Sequence, residues 1–67
     1  DPRLKLNGIT LGKTPLAVIN GKTLSEGESA RIPVKPGNLN IRCLNIERDS
    51  VTIEIDGEET PRRLQMQ

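Results

Sequence analysis

The chain lacks aromatic residues and histidine altogether, and it has one cysteine and one methionine in 67 residues. Without histidine, the usual base that activates a serine or cysteine nucleophile is missing, and one cysteine cannot form an internal disulfide or a zinc site. Without aromatic rings, the stacking platforms of single-stranded nucleic-acid binders are missing too. These absences argue against nucleophilic hydrolases, zinc-binding domains and disulfide-stapled scaffolds.

Long runs of charge or of apolar residues are also missing. Ten basic and nine acidic residues give a formal net charge of +1. No stretch reaches the ~18 apolar residues of a membrane span. Because Asp1-Pro2 is not a natural translation start, we expect residues 1–67 to be a single small β domain cropped from a longer, membrane-anchored chain.

Alternating aliphatic residues and turn signals are what the sequence does contain. Residues 51–55 alternate apolar and polar side chains, which is typical of a strand with one buried face. Asn20-Gly21 and Asp56-Gly57 are hairpin signals because these residue types tolerate positive φ. Similar segments predict six to seven short strands, so we expect an all-β fold, either a small antiparallel β-sandwich or a partly open barrel.

Two irregularities are expected within the strands. Gly8 interrupts the alternation of the first strand and predicts a bulge or bend there. In the longest strand the alternation of Leu39, Ile41 and Cys43 changes phase, which predicts a bulge near 43–45. After this bulge, Leu44 and Ile46 are expected to take up the buried phase.

Motifs that could carry chemistry are weak. Gly12-Lys13-Thr14 resembles the end of a phosphate-binding loop, but Asn7 stands where that motif requires glycine. The carboxylates are scattered over predicted turns and wet strand faces, where solvation accounts for them. Cys43 is expected to be a buried structural thiol. The sequence therefore predicts no enzyme, no catalytic residue, no cofactor and no metal site.

Exposed sheet edges are the functional feature that is left. A β domain that does not close fully presents unpaired N–H and C=O groups, which a partner strand can join. The expected edges are the strands around 3–7 and 61–66, and Pro61 suits an edge because it cannot donate to a ladder. The candidate partner-binding residues are Arg3, Lys5 and Asn7, which would offer charge and hydrogen bonds at the rim of the first edge.

The order of the motifs resembles a bacterial secretion module. That module is the periplasmic homology region of the type II secretion inner-membrane protein C, to which the type IV pilus assembly lipoprotein P is similar. The shared order is a strand ending in glycine, an Asn-Gly hairpin, a Gly-Glu turn and a final hairpin. The matching segments are 6–9 (LNGI), 17–22 (AVINGK), 24–28 (LSEGE), 46–51 (IERDSV) and 55–57 (IDG).

The resemblance implies a non-enzymatic interaction domain in the periplasm, tethered to the inner membrane by an upstream segment. It implies docking on the N-terminal periplasmic domain of the outer-membrane secretin, with no small-molecule substrate and no nucleic acid. An alternative from another class is an SH3-like small barrel that binds nucleic acid or the ribosome. That alternative would require Arg31, Lys35, Arg42 and Arg48 to cluster on one face, and its binding would weaken steeply with salt.

Overall fold

Seven strands in two antiparallel sheets make up residues 3–66, the part of the chain that the computed structural model describes. The three-stranded sheet has the order β1-β2-β3 and consists of β1 (Leu6–Thr10), β2 (Leu16–Ile19) and β3 (Lys22–Ser25). The four-stranded sheet has the order β4-β5-β6-β7 and consists of β4 (Ser29–Pro33), β5 (Asn38–Ile46), β6 (Ser50–Ile55) and β7 (Arg62–Gln65). The predicted all-β sandwich is confirmed.

The core between the sheets is aliphatic. Ile19 and Leu24 enter it from the three-stranded sheet, and Ile32 and Ile53 from the four-stranded sheet, all with no exposed surface. Isoleucine suits strands because its branched Cβ packs well on a pleated surface. Burying one such side chain contributes about 1.5–3 kcal/mol. The predicted inward face of 51–55 is confirmed, since its three aliphatic residues are all buried.

The predicted hairpin turns are present. Asn20 and Gly21 have φ angles of 51° and 82°, so both adopt the left-handed conformation of a two-residue hairpin. Gly57 has a φ of 89°, and the N–H of Glu58 donates to the C=O of Ile55 at 2.9 Å. The tolerance of these residues for positive φ therefore allows both turns, the second of which lies within the 56–61 connection between β6 and β7.

Both predicted bulges are confirmed, but one of their consequences was wrong. The register shifts between Leu6 and Gly8 in β1, and between Cys43 and Asn45 in β5. Leu44 is the extra residue of the second bulge, so it points away from the core and is 39% exposed. Only Ile46 takes up the buried phase that was predicted for both residues.

The two sheets approach each other along two seams. At the first, Leu6 forms an isolated parallel bridge with Met66. At the second, β3 and β4 belong to different sheets, and the amide of Asn20 donates to the C=O of Pro33 at 3.1 Å. These two contacts join the margins of the two sheets of the sandwich. The edges predicted around 3–7 and 61–66 correspond to β1 and β7, which each end a sheet, although β1 begins only at Leu6.

Candidate interaction surface

Asn20 links the start of the chain to the β2–β3 turn and to the end of β4. Its Oδ1 accepts a hydrogen bond from the N–H of Lys5 at 2.8 Å, and its Nδ2 donates to the C=O of Arg3 at 3.0 Å and of Pro33 at 3.1 Å. Its own N–H donates to the C=O of Lys5 at 3.0 Å. An asparagine side chain can do this because its amide has the donors and the acceptor of a peptide group.

The three candidate partner-binding residues lie beside this link. The N–H and the C=O of Lys5 are both bonded to Asn20, and Oδ1 of Asn7 accepts a hydrogen bond from the N–H of Gly21 at 2.9 Å. Arg3 also takes part in an interaction within the chain. The structure thus brings Arg3, Lys5 and Asn7 together against the turn, and all three are exposed. Their use by a partner stays a prediction.

The edge of β1 beyond Leu6 is open among residues 3–66. Gly8, Ile9 and Thr10 pair with β2 on one side. The direction of backbone groups alternates along an antiparallel ladder, and the bonded pair of Lys5 and Asn20 sets the phase. Counted along β2 from Asn20, Ala17 is at a position that does not bond to β1. Its partner across the bulge is Ile9, so the N–H and C=O of Ile9 point away from β2. We call residues 8–10 the open edge.

β1 is also the least guarded of the four strands that end a sheet. Natural edges are commonly protected by charge or proline. The other three edge strands each carry such residues: Lys22 in β3, Arg31 and Pro33 in β4, and Arg62 and Arg63 in β7. The sequence of β1, LNGIT, contains neither charge nor proline, although the strand is short and carries a bulge.

The outer surface of the three-stranded sheet continues this uncharged character. Ala17 and Ile19 point into the core, so their strand neighbours Leu16 and Val18 face outward and are half-buried. Leu11, which follows β1, is 53% exposed. Cross-strand pairing completes what we call the neutral face, formed by Gly8, Thr10, Leu16, Val18, Thr23 and Ser25. An incoming strand beside it would not have to desolvate any charge.

The outer surface of the four-stranded sheet is different because it carries charges of both signs. Arg42 lies opposite Ser29 on one side and Glu54 on the other. A shallow groove of about 210 Å³ runs here, lined by Ser29, Asn40, Ile41, Arg42, Glu54 and Asp56.

The four basic residues of the nucleic-acid alternative do not meet on this surface. Arg31 lies diagonally across the β4–β5 register from Arg42. Lys35 and Arg48 lie in turns at opposite ends of the nine-residue β5, which spans roughly 30 Å. With Glu54 opposite Arg42, these positions do not form a single basic patch.

Comparisons of the chain with family models, with curated proteins and with solved structures found no match. Within residues 3–66 there is no group of three or more histidine, cysteine, aspartate or glutamate side chains that could hold a metal ion. The same residues include no helix long and apolar enough to cross a membrane. The open edge and the neutral face are the surfaces considered below for partner binding.

Cys43 occupies the structural position expected from the sequence. Its side chain is fully buried, and burial raises the pKa of the thiol, with smaller contributions in the same direction from the carboxylates of Glu26 and Glu28. Those carboxylates also accept backbone hydrogen bonds, one within the β3–β4 turn and one from the end of β5. Glu28 accepts from the N–H of Ser25 at 2.9 Å, and Glu26 accepts from the N–H of Ile46 at 2.8 Å.

Sequence reasoning missed two parts of this surface. Asn20 was interpreted only as a turn residue, although its side chain makes three contacts with distant segments. Ile9 and Leu11 are predicted only as strand residues, whereas Ile9 lies on the open edge and Leu11 follows it. The signal in the sequence is the run 6–12, which contains no charged residue and no proline, the residues that commonly protect an edge.

Proposed function

We propose that this chain is a non-enzymatic protein-interaction domain that binds its partner by strand addition along the open edge, 8–10. The observation that carries the proposal is that β1 alone among the four edge strands has neither a charged residue nor proline. The outward N–H and C=O of Ile9 supply a donor and an acceptor to a partner strand. The neutral face and Leu11, which is 53% exposed, supply apolar contact beside them.

The partner we propose is the N-terminal periplasmic domain of an outer-membrane secretin, in a type II secretion or type IV pilus apparatus. The order of turn motifs that resembles the periplasmic homology region supports this assignment, and so does an all-β fold with an edge strand that lacks charge and proline. The domain would then work in the periplasm, tethered to the inner membrane. A contact made by one short edge and a small face buries less than ~1,200 Å², which is typical of a transient interface.

The test is a titration of the isotope-labelled domain with the secretin N-terminal domain, followed by amide chemical shifts. We expect saturable shifts at residues 8–11 and at Leu16 and Val18, with β7 unaffected. Shifts confined to β7 or to the four-stranded sheet, or no shift at a large excess of partner, would overturn the proposal. Binding of RNA or DNA that weakens steeply with salt would favour the alternative function.

A pair of proline variants tests strand addition itself. Ile9→Pro removes the N–H that points away from β2, so it should leave the β1–β2 ladder in place while weakening binding by about tenfold or more. Thr23→Pro makes the matched change on β3, the other edge of the same sheet, and should bind like the wild type. Equal partner affinity of both variants would rule out strand addition at β1. The amide spectrum of each variant shows whether it is folded.

Adding a charge to the neutral face provides a variant without a backbone change. Thr10 is exposed and lies on the neutral face opposite Leu16. Thr10→Lys should fold normally, since strand edges commonly carry lysine as a guard. It should weaken partner binding because the lysine must be desolvated at the contact. Lys13, in the loop after β1, offers the matched control Lys13→Thr, which should bind normally.

A further inference from the structure

The two Asn-Gly dipeptides of this chain lie against each other. Asn7-Gly8 forms the bulge of β1, and Asn20-Gly21 forms the β2–β3 turn. The N–H of Gly21 donates to Oδ1 of Asn7 at 2.9 Å. Asn20 in turn holds the backbone of Lys5, two residues before Asn7. Each asparagine therefore restrains the segment that contains the other.

Asn-Gly is the dipeptide in which a side-chain amide is most easily lost, because glycine does not hinder the attacking nitrogen. That main-chain nitrogen forms a bond to Cγ of the asparagine and gives up its proton, while the Cγ–Nδ2 bond breaks and ammonia leaves. The product is a five-membered succinimide. Water then opens the ring at either carbonyl, which leaves aspartate or isoaspartate. Ammonia leaves and water enters, so no oxidant or cofactor is required.

Both reacting groups of Asn20-Gly21 are restrained in the folded chain. Nδ2 of Asn20, the leaving group, donates to the C=O of Arg3 and of Pro33. The N–H of Gly21, the attacking group, is directed at Asn7 instead of at Cγ of Asn20. The attack therefore requires that these hydrogen bonds break and that the turn leaves its left-handed conformation, with φ angles of 51° and 82°.

We propose that Asn20 is a deamidation site that is protected in the folded chain by the hydrogen bond from Gly21 to Asn7. We propose further that its conversion to aspartate or isoaspartate is an irreversible switch. The succinimide forms when residues 3–7 detach from the β2–β3 turn. The resulting carboxylate has no N–H to donate to Arg3 or Pro33, and it places negative charge beside their carbonyl oxygens. The segment before β1 and the β3–β4 seam then lose a common anchor. This proposal is independent of the partner proposed above.

The experiment follows deamidation of the purified chain at mildly alkaline pH by intact mass and by peptide mapping that separates aspartate from isoaspartate. Conversion of Asn20 should be at least about tenfold slower in the folded chain than in urea, because it requires local opening. Asn7→Ala should remove most of this protection. Asn7→Asp keeps an acceptor oxygen for Gly21 and should retain more of it.

A destabilised variant separates the local restraint from global unfolding. Ile53→Val weakens the core of β6, far along the chain from the turn, and should raise the rate at Asn20 much less than Asn7→Ala does. The variant Asn20→Asp mimics the product and should shift the amide signals of Lys5 and Val34. Equal rates in folded and urea-treated chains, equal acceleration by Asn7→Ala and Ile53→Val, or conversion of Asn7 in place of Asn20 would each overturn the proposal.

Discussion

The two sheets share one aliphatic core but fix their margins by different means. The three-stranded sheet has an uncharged outer face, and hydrogen bonds of the amides of Asn7 and Asn20 hold its margin. The four-stranded sheet has a charged outer face, and its margin includes ion pairs from Arg62 to Glu58 at 3.0 Å and from Arg63 to Glu47 at 3.4 Å. Neutral amides thus bind the backbone at one margin, and charged side chains pair at the other.

The largest predicted effect tests whether the sheets do share one core. Ile19 in β2 and Ile53 in β6 are the same residue type with no exposed surface. Ile19→Ala and Ile53→Ala should each lower the free energy of unfolding by about 3 kcal/mol in urea titrations. The exposed Leu44→Ala should change it by less than about 0.5 kcal/mol.

A large loss of unfolding free energy from only one of the two isoleucines would contradict an equal contribution of the two sheets to the core. Where the alanine variants do not fold, the valine variants replace them. Ile19→Val and Ile53→Val should each cost about 1 kcal/mol.

The next effect concerns the side-chain amide hydrogen bonds at the margin of the three-stranded sheet. Asn20→Gly keeps a residue that accepts positive φ but removes three side-chain hydrogen bonds. It should lower the free energy of unfolding by about 2 kcal/mol. Asn20→Ala should cost about 1 kcal/mol more, since alanine is strained in the left-handed region. Asn38→Ala, at an exposed asparagine of β5, is the control and should be near neutral.

The charged margin of the four-stranded sheet should be weaker and should depend on salt. Ser50 is fully buried, and its hydroxyl donates to Glu47 at 3.2 Å and accepts from Nε of Arg63 at 3.2 Å. Ser50→Ala should cost about 1 kcal/mol. Arg63→Gln should cost less than about 1 kcal/mol, and its effect should vanish in concentrated salt. An Asn20 effect that fell with salt in the same way would contradict the distinction between the margins.

The smallest effect at neutral pH is the titration of Cys43. Its pKa is raised by burial and then by Glu26 and Glu28, so the folded state favours the neutral thiol. This contribution to stability is fully present below the pKa of the unfolded thiol and is lost as the pH rises through the folded pKa. Unfolding measured against pH should therefore show an alkaline loss of stability that Cys43→Ala reduces. Identical alkaline slopes in the two proteins would contradict the assignment.

Local features of this fold could be predicted from the sequence, and features that depend on distant segments could not. The hairpins at Asn20-Gly21 and Asp56-Gly57 follow from residues that tolerate positive φ, so neighbouring residues suffice to identify them. The outward turn of Leu44 depends on which strand opposes the bulge. The bonds from Asn20 reach partners 13 to 17 residues away, which no local pattern encodes.

For the candidate surface too, local features could be predicted and contacts between distant segments could not. The edge character of β1 and β7 could be inferred from strand order and from Pro61, and both strands do end their sheets. Arg3, Lys5 and Asn7 are predicted from their polarity and from their position on an expected edge strand. The structure shows the backbone of Lys5 and the amide oxygen of Asn7 already bonded to the turn, which the one-dimensional pattern cannot reveal. The open edge lies just beyond them, at Gly8 to Thr10.

The bridge between Leu6 and Met66 brings the beginning of β1 next to the residue that follows β7. The first and last strands of the described residues therefore begin and end at neighbouring points. A domain with this property can be spliced into a surface loop of a host protein without redirecting the host backbone. Equally, a short linker could join its ends, and new ends could be opened at the exposed 35–37 turn without removing any strand pairing.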